Sequence, residues 1–263
     1  MTESFIDTRI SDAGVATVTM NRPDVHNAFD EVLIAQLTSD LESLGEDGGV
    51  GVVVLAGEGK SFSAGADLNW MRRMAVYSEA ENVADARALG RMLKTLFELP
   101  KPTIARVHGA AFGGAVGLVA ACDIAVAADD TIFAVSEVKL GLIPAVISPY
   151  IVAAMGQRQA RRYALTGERF GAEQALRVGL VHQVVGREDL SAATGQIIQS
   201  LAENSPIAMA EVKDLIAAIT GRPLDDDLID DTAGRIARVR ASGQGREGVA
   251  AFLEKRKPDW RDE

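Results

Sequence analysis

The sequence predicts an α/β fold of stacked sheets followed by a helical C-terminal region, and three observations carry that prediction. A strand–strand–helix pattern recurs up to about residue 195. Runs of small residues stand where strands should hand over to helices, at Ser61-Phe62-Ser63-Ala64-Gly65-Ala66-Asp67 and at His108-Gly109-Ala110-Ala111-Phe112-Gly113-Gly114-Ala115-Val116-Gly117. Beyond Asn204-Ser205-Pro206 the apolar spacing becomes helical throughout. A chain of 263 residues is enough for one large domain, or one domain with an appendage. The expected division is residues 1–195 for the α/β core and 196–263 for the helical region.

The elements follow in order. Val15, Thr17 and Thr19 alternate with Ala16, Val18 and Met20 after a turn at Asp12-Ala13-Gly14, which predicts a hairpin. Asn21-Arg22-Pro23 ends it. Asp30 can cap a helix whose apolar positions Val32, Leu33, Leu37, Leu41 and Leu44 keep helical spacing. Gly51-Val52-Val53-Val54-Leu55-Ala56 reads as a strand buried on both faces. Thr103–Val107 reads as a strand, 113–121 as a helix and Ile124–Ala127 as another strand. Asn69–Leu99 is long, helical in composition and rich in charge and methionine. It fits a solvated amphipathic helix and a substrate-covering element equally well. The tail predicts helices through Ala218, across Asp227–Ala241 and across Glu247–Lys255, too thin to stand alone and therefore packed on the core or on another subunit.

Composition narrows the function. Hydrophobic residues make up 48% and charged residues 24%, ordinary for a globular domain. A formal charge of −10 disfavours a nucleic-acid partner, which needs a basic face. Anionic ligands remain possible at helix N-termini. Cys122 is the one cysteine, so intramolecular disulfides and Cys-based metal sites are excluded, and its apolar neighbours suggest a buried structural thiol. Met1-Thr2-Glu3-Ser4 has neither a basic nor an apolar leader character, and no apolar run approaches the roughly 20 residues of a membrane span. A cytoplasmic protein is expected. His26, His108 and His182 are scattered without ligand spacing, which argues against zinc.

Three features carry chemistry. In Ser63–Asp67 the small residues let backbone approach a ligand, and the N–H of Ala66 would be free at a helix start. Gly113-Gly114 opens a second helix, so the N–H of Gly114 can face the same point. Two converging amides make an oxyanion hole. Either turn alone fits plain close packing as well. The lone acid Glu137, within Phe133-Ala134-Val135-Ser136-Glu137-Val138, has apolar flanks that should raise its pKa toward the range of a general acid–base group. Its bland alternative is a solvent-facing strand glutamate.

Together these stretches resemble the crotonase (enoyl-CoA hydratase/isomerase) superfamily. Asn21-Arg22-Pro23, Asn27-Ala28, Phe62–Asp67, Lys101-Pro102-Thr103-Ile104-Ala105, Ala121-Cys122-Asp123-Ile124, Glu137 with Leu140-Gly141-Leu142-Ile143-Pro144, Leu165-Thr166-Gly167, Ala175, Gly179-Leu180-Val181 and Phe252–Lys257 fall in family order. The resemblance spans essentially the whole chain. It implies a spiral of ββα repeats, a C-terminal helical trimerisation region, and trimers commonly paired into hexamers. It implies an acyl-CoA thioester as substrate and no metal or redox cofactor. Ala66 and Gly114 would hold the thioester oxygen and Glu137 would move protons. Val25, Ala28, Ala64, Ala66, Asp67, Leu68, Asn69 and Gly114 would line the CoA and substrate path.

The chain departs from the pattern in two places. The hydratases it resembles carry a second glutamate where this sequence has Gly117, and a glycine-rich stretch where it has Pro144-Ala145-Val146-Ile147-Ser148-Pro149-Tyr150. On carboxylate count the chain resembles isomerases that shift a 3-enoyl double bond. Yet Ser63–Met71 and the segment after Glu137 resemble bacterial methylglutaconyl-CoA hydratases, a group with members that carry Gly at this position. The expected activity is reversible hydration of a branched 2-enoyl-CoA such as 3-methylglutaconyl-CoA. The alternatives are 3,2-enoyl-CoA isomerisation, CoA binding without catalysis, and RNA binding, against which the charge argues. Arg72 or Arg73 could meet a carboxylated acyl end, Ser148 or Tyr150 could hydrogen-bond it, and Lys255 or Lys257 could reach CoA phosphates. All six also fit ordinary surface or structural roles.

Overall fold

The computed structural model describes residues 4–260. The chain divides into two compact units, one ending at Ile198 and the other beginning at Gln199. The first unit holds two sheets. Strands β1 (Ile6–Ile10) and β2 (Val15–Met20) form the expected hairpin, pairing antiparallel with Ile6 opposite Met20. Beside β2 lie β3 (Val52–Gly57), β4 (Thr103–Val107), β6 (Ile124–Ala128) and β9 (Gln183–Val185), all parallel, in the order β1-β2-β3-β4-β6-β9. The smaller sheet joins β5 (Ala110–Phe112), β7 (Ile132–Ala134) and β8 (Arg169–Gly171).

The ββα repeat is visible in this topology. β4 and β5 precede α4 (Gly114–Ala121), and β6 and β7 precede α5 (Ser148–Thr166), each pair giving one strand to either sheet. The bridge Ser63↔Ala111 adds the turn after β3 to the small sheet in the same way. Parallel strands need a crossover between them, and the helices supply it.

Helix α1 (Glu31–Glu46) starts where Asp30 accepts hydrogen bonds from the amides of Val32 and Leu33, a cap worth about 1 kcal/mol. It buries Leu33, Ile34, Leu37, Leu41 and Leu44, whereas Val32 is exposed. Fully burying each such leucine contributes roughly 1.5–3 kcal/mol. The core continues through Val53, Leu55, Phe62, Leu93, Leu96, Ala105, Val107, Val116 and Phe133. Residues 69–99 are not one helix. They form α2 (Leu68–Met74) and α3 (Glu79–Phe97), because Ser78 opens α3 with a capping box to Glu81. Their buried faces are Trp70 and Met92, Leu93, Leu96, so this segment packs on the core.

A short helix α6 (Ala172–Arg177) follows β8, and α7 (Leu190–Ala202) carries the chain across the division between the units. The second unit is helical: α8 (Pro206–Ile219), α9 (Asp226–Ala241) and α10 (Gly243–Glu254). The last starts four residues earlier than its apolar spacing predicts, because the Ser242 hydroxyl caps the amide of Gly245. Buried Gln244 ties this unit together, accepting from the Ser205 hydroxyl at 2.6 Å and donating to the Trp260 carbonyl at 3.2 Å. No helix among the described residues is long and apolar enough to cross a membrane.

Candidate active site

The two small-residue turns lie side by side. The amide of Ser63 donates to the Ala110 carbonyl at 3.0 Å and the amide of Phe112 to the Ser63 carbonyl at 3.1 Å. Gly65 then passes so close to the second turn that an added β-carbon would stand 2.9 Å from the Phe112 carbonyl oxygen. Phe29 braces both turns from beneath. Its amide donates to the Gly65 carbonyl and its carbonyl accepts from Asp67, each at 2.7 Å. Its ring reaches Gly114, where an added β-carbon would stand 2.8 Å from Cε2.

Two amides stay unpaired among the described residues. The neighbours of Ala66 are engaged with Phe29, but among the described residues no acceptor meets the N–H of Ala66, and Ala66 itself is exposed. Ala66 precedes the cap of α2 rather than opening the helix. Gly114 is the first residue of α4, so its N–H has no intrahelical acceptor, and none of the described residues supplies another. The partial positive charge at the N-terminus of α4 adds to it. Gly113 caps that helix with φ 53° and ψ −121°, a backbone that L side chains avoid.

Glu137 stands at Gly113. It is not a strand residue: β7 ends at Ala134 and Glu137 opens a 3-10 turn, Glu137–Leu140. The turn swings its carboxyl against the second small-residue turn, so that an added β-carbon at Gly113 would lie 3.2 Å from Oε1. Its Oε2 is buried and has no hydrogen-bond partner among the described residues. Burial raises its pKa above the usual carboxylate range, and the backbone amides of Glu137 and Ser136 offset this only in part.

The next turn of α4 meets an apolar wall. An added β-carbon at Gly117 would stand 2.3 Å from Ile147 Cγ2 and 3.6 Å from Leu93 Cδ2. One at Gly90 would stand 3.6 Å from Val146 Cγ1. The divergent segment therefore fills the place of a second side chain on α4.

The remaining expected site residues divide. Asp67 commits its carboxylate inward: Oδ1 accepts from the amides of Asn69 and Trp70, and Oδ2 pairs with Arg22 at 3.2 Å. Burial pushes its pKa up, but those amides and Arg22 outweigh it and hold the group below its usual value. Ala28 is buried, Ala64 half-buried, and Val25, Leu68 and Asn69 are exposed. Arg73 is paired with Glu31 at 2.7 Å, and Arg72 donates to the Asn69 side chain at 2.6 Å. The Ser148 hydroxyl donates to the Pro144 carbonyl, and Tyr150 packs edge-on against Phe97. His108 lies 3.0 Å from the Gly59 carbonyl, His26 3.1 Å from the Ser61 hydroxyl, and His182 accepts from the Ala125 amide. Cys122 is buried.

Two structural anchors had no role assigned from sequence. Arg22 pairs with Asp30 at 3.0 Å as well as with Asp67, so one guanidinium clamps the caps of α1 and α2. Asn27, fully buried, accepts from the Arg22 amide and donates to the carbonyls of Glu58 and Ser61. Their presence among the matched motifs was the signal.

Comparison with known proteins gives the family. Residues 11–263 match the family described as enoyl-CoA hydratase/isomerase. A solved enoyl-CoA hydratase from Shewanella pealeana is 48% identical, with a TM-score of 0.95 over 98% of this chain and 96% of that one. The 1,2-epoxyphenylacetyl-CoA isomerase of Escherichia coli is 34% identical over 94% of this chain and 95% of its own. The 2,3-dehydroadipyl-CoA hydratase of the same organism is 32% identical over 94% and 95%. With a family match over nearly its whole length, the chain belongs to the enoyl-CoA hydratase/isomerase family and is an enzyme of the crotonase superfamily.

Proposed function

We propose that the protein is an enoyl-CoA hydratase that adds water reversibly to a 2-enoyl-CoA, with a branched acyl group such as 3-methylglutaconyl as its substrate. The observation that carries this reading is the Glu137 carboxyl, buried beside the N-terminus of α4 with Oε2 unpartnered. In this reading the thioester oxygen accepts from the amides of Ala66 and Gly114. Glu137 takes a proton from water as the water oxygen bonds to the 3-carbon. The electron pair of the double bond moves to the thioester as an enolate, which the two amides stabilise. Protonated Glu137 then returns the proton to the 2-carbon, which restores the carboxylate. The thioester supplies the acidity, so the cycle needs neither metal nor redox cofactor.

Glu137→Gln tests this. Hydration should lose about 10²–10⁴ in kcat, the range of a positioned acid–base group, with KM changed far less. Hydration that survives the substitution, or double-bond migration without any hydration, overturns the reading. The pH profile adds a second check. Glu137 must be ionised to take the proton, and burial raises its pKa, so kcat/KM should fall with decreasing pH at a value above that of an ordinary glutamate.

One observation favours isomerisation as a second reading. Ile147 fills the volume over Gly117, and one carboxyl is enough to carry a proton between the 2- and 4-carbons. Following migration of a 3-enoyl double bond beside 3-hydroxyacyl-CoA formation separates the two. We also read the protein as a cytoplasmic homotrimer or hexamer. The helical unit exposes Val212, Ile216, Leu224, Ile229, Phe252 and Leu253, apolar surface that self-association would cover. Mass measurement in solution tests that part.

A further inference from the structure

The apolar wall beside α4 has a consequence for what the site can accept. Gly114 and Gly117 are three residues apart on one helix, so they share a side of it, ~4.5 Å apart along the axis. In the acyl-CoA reading, a thioester whose oxygen rests on the Gly114 amide can run its acyl group along that side of α4, past Gly117. At that point the side-chain volume belongs to Ile147, whose Cγ2 and Cβ lie 2.3 Å and 2.8 Å from an added β-carbon. Ile147 is 2% exposed and caps the N-terminus of α5, so it cannot swing aside without moving that helix. Leu93 of α3 borders the same place.

We propose that Ile147 is the specificity-determining residue for the acyl group, setting the size of the substituent carried on the side facing α4 and requiring it to be apolar. The inference rests on the acyl-CoA reading above. A small aliphatic branch keeps contact with Ile147 without forcing α5 away. A larger or charged one meets a packed, unyielding hydrocarbon surface. Gly117 is the other half of the device, since any side chain there would displace Ile147.

Saturated acyl-CoAs test this without needing turnover. Affinities of free CoA, butanoyl-CoA, 3-methylbutanoyl-CoA and 3,3-dimethylbutanoyl-CoA would be measured by calorimetry on the full-length protein and on Ile147→Ala. The variant should improve binding of the dimethyl ligand relative to butanoyl-CoA by about tenfold or more, the scale of a methyl-group discrimination, and leave free CoA unchanged. Ile147→Val, one methyl smaller, should show the same trend at lower amplitude and guards against loss of fold. Unchanged ratios in both variants overturn the assignment. If the unaltered protein binds neither free CoA nor butanoyl-CoA, the acyl-CoA reading itself fails and takes this inference with it. A stability cycle checks the contact independently: Gly117→Ala should lower the melting temperature in the Ile147 background and much less beside Ile147→Gly. Equal losses in both backgrounds overturn the pairing of Gly117 with Ile147.

Discussion

The turn at Ser63–Asp67 and the turn at Gly113–Gly114 each present one unpaired amide, yet different forces hold them. The first is fixed by charge. Arg22 joins the Asp67 cap of α2 to the Asp30 cap of α1, with its guanidinium 4.3 Å from the Phe5 ring centroid. The second is fixed by shape. No side-chain cap supports Gly113, and the turn is set by its φ of 53°, by the hydrogen bond its amide donates to the Ala134 carbonyl, and by close contacts of Glu137 with Gly113 and of Phe29 with Gly114. Damage to the first turn should therefore appear in stability, and damage to the second in rate.

Of substitutions in the backbone and anchors of the two turns, Gly113→Ala should have the largest effect. The new methyl group meets Glu137 Oε1 at 3.2 Å and the backbone must leave a conformation that L residues avoid. Either response misplaces the Gly114 amide or the carboxyl, and losing one oxyanion donor costs about 10²–10³ in kcat. Steady-state kinetics check this. A variant with full kcat would show that shape does not hold the second turn.

Arg22→Leu should reverse the pattern. It leaves Asp30 and Asp67 buried without their cation, and breaking a buried pair costs about 3–5 kcal/mol. The backbone amides that both carboxylates retain should keep the loss near the lower end of that range. Chemical denaturation reads the loss, and kcat per folded molecule should stay within a few fold. A collapse of kcat with stability preserved would break the contrast between the turns.

Much of this was legible in the chain, for reasons that differ by element. β2 and β3 declared themselves because alternation and an unbroken apolar run have few other readings. Asp30 was readable as a cap because a short acid before a leucine stripe satisfies orphan amides. Ala66 and Gly114 were legible as small residues at strand ends. The free Gly114 amide follows from its place at the start of α4, but that of Ala66 is a matter of where Phe29 places its backbone, which no local pattern encodes. Glu137 was recognisable as a sheltered acid, but the 3-10 turn that brings it to Gly113 reads in sequence like the continuation of a strand. Ile147 was hidden most completely. Its importance lies in Gly117, thirty positions away, and a glycine in an apolar helix does not say what fills its space.

The two turns should also titrate in opposite senses, which gives the finest comparison. Burial holds the Glu137 carboxyl above its unfolded value, so its contribution to stability is full below that value and is lost as pH rises through the folded one. Amides and Arg22 hold Asp67 below its unfolded value, so its contribution is present above that value and is lost as pH falls through the folded one. Glu137→Gln should thus gain in melting temperature over the unaltered protein as pH rises from acid to neutral, because the neutral amide never becomes a buried charge. Asp67→Asn should lose most at neutral pH and converge on the unaltered protein in acid. Melting curves across that range read both differences. If the two variants shift with pH in the same direction, the carboxyl beside Gly113 is not held apart from water in the way its burial implies, and the general-base assignment loses its electrostatic support.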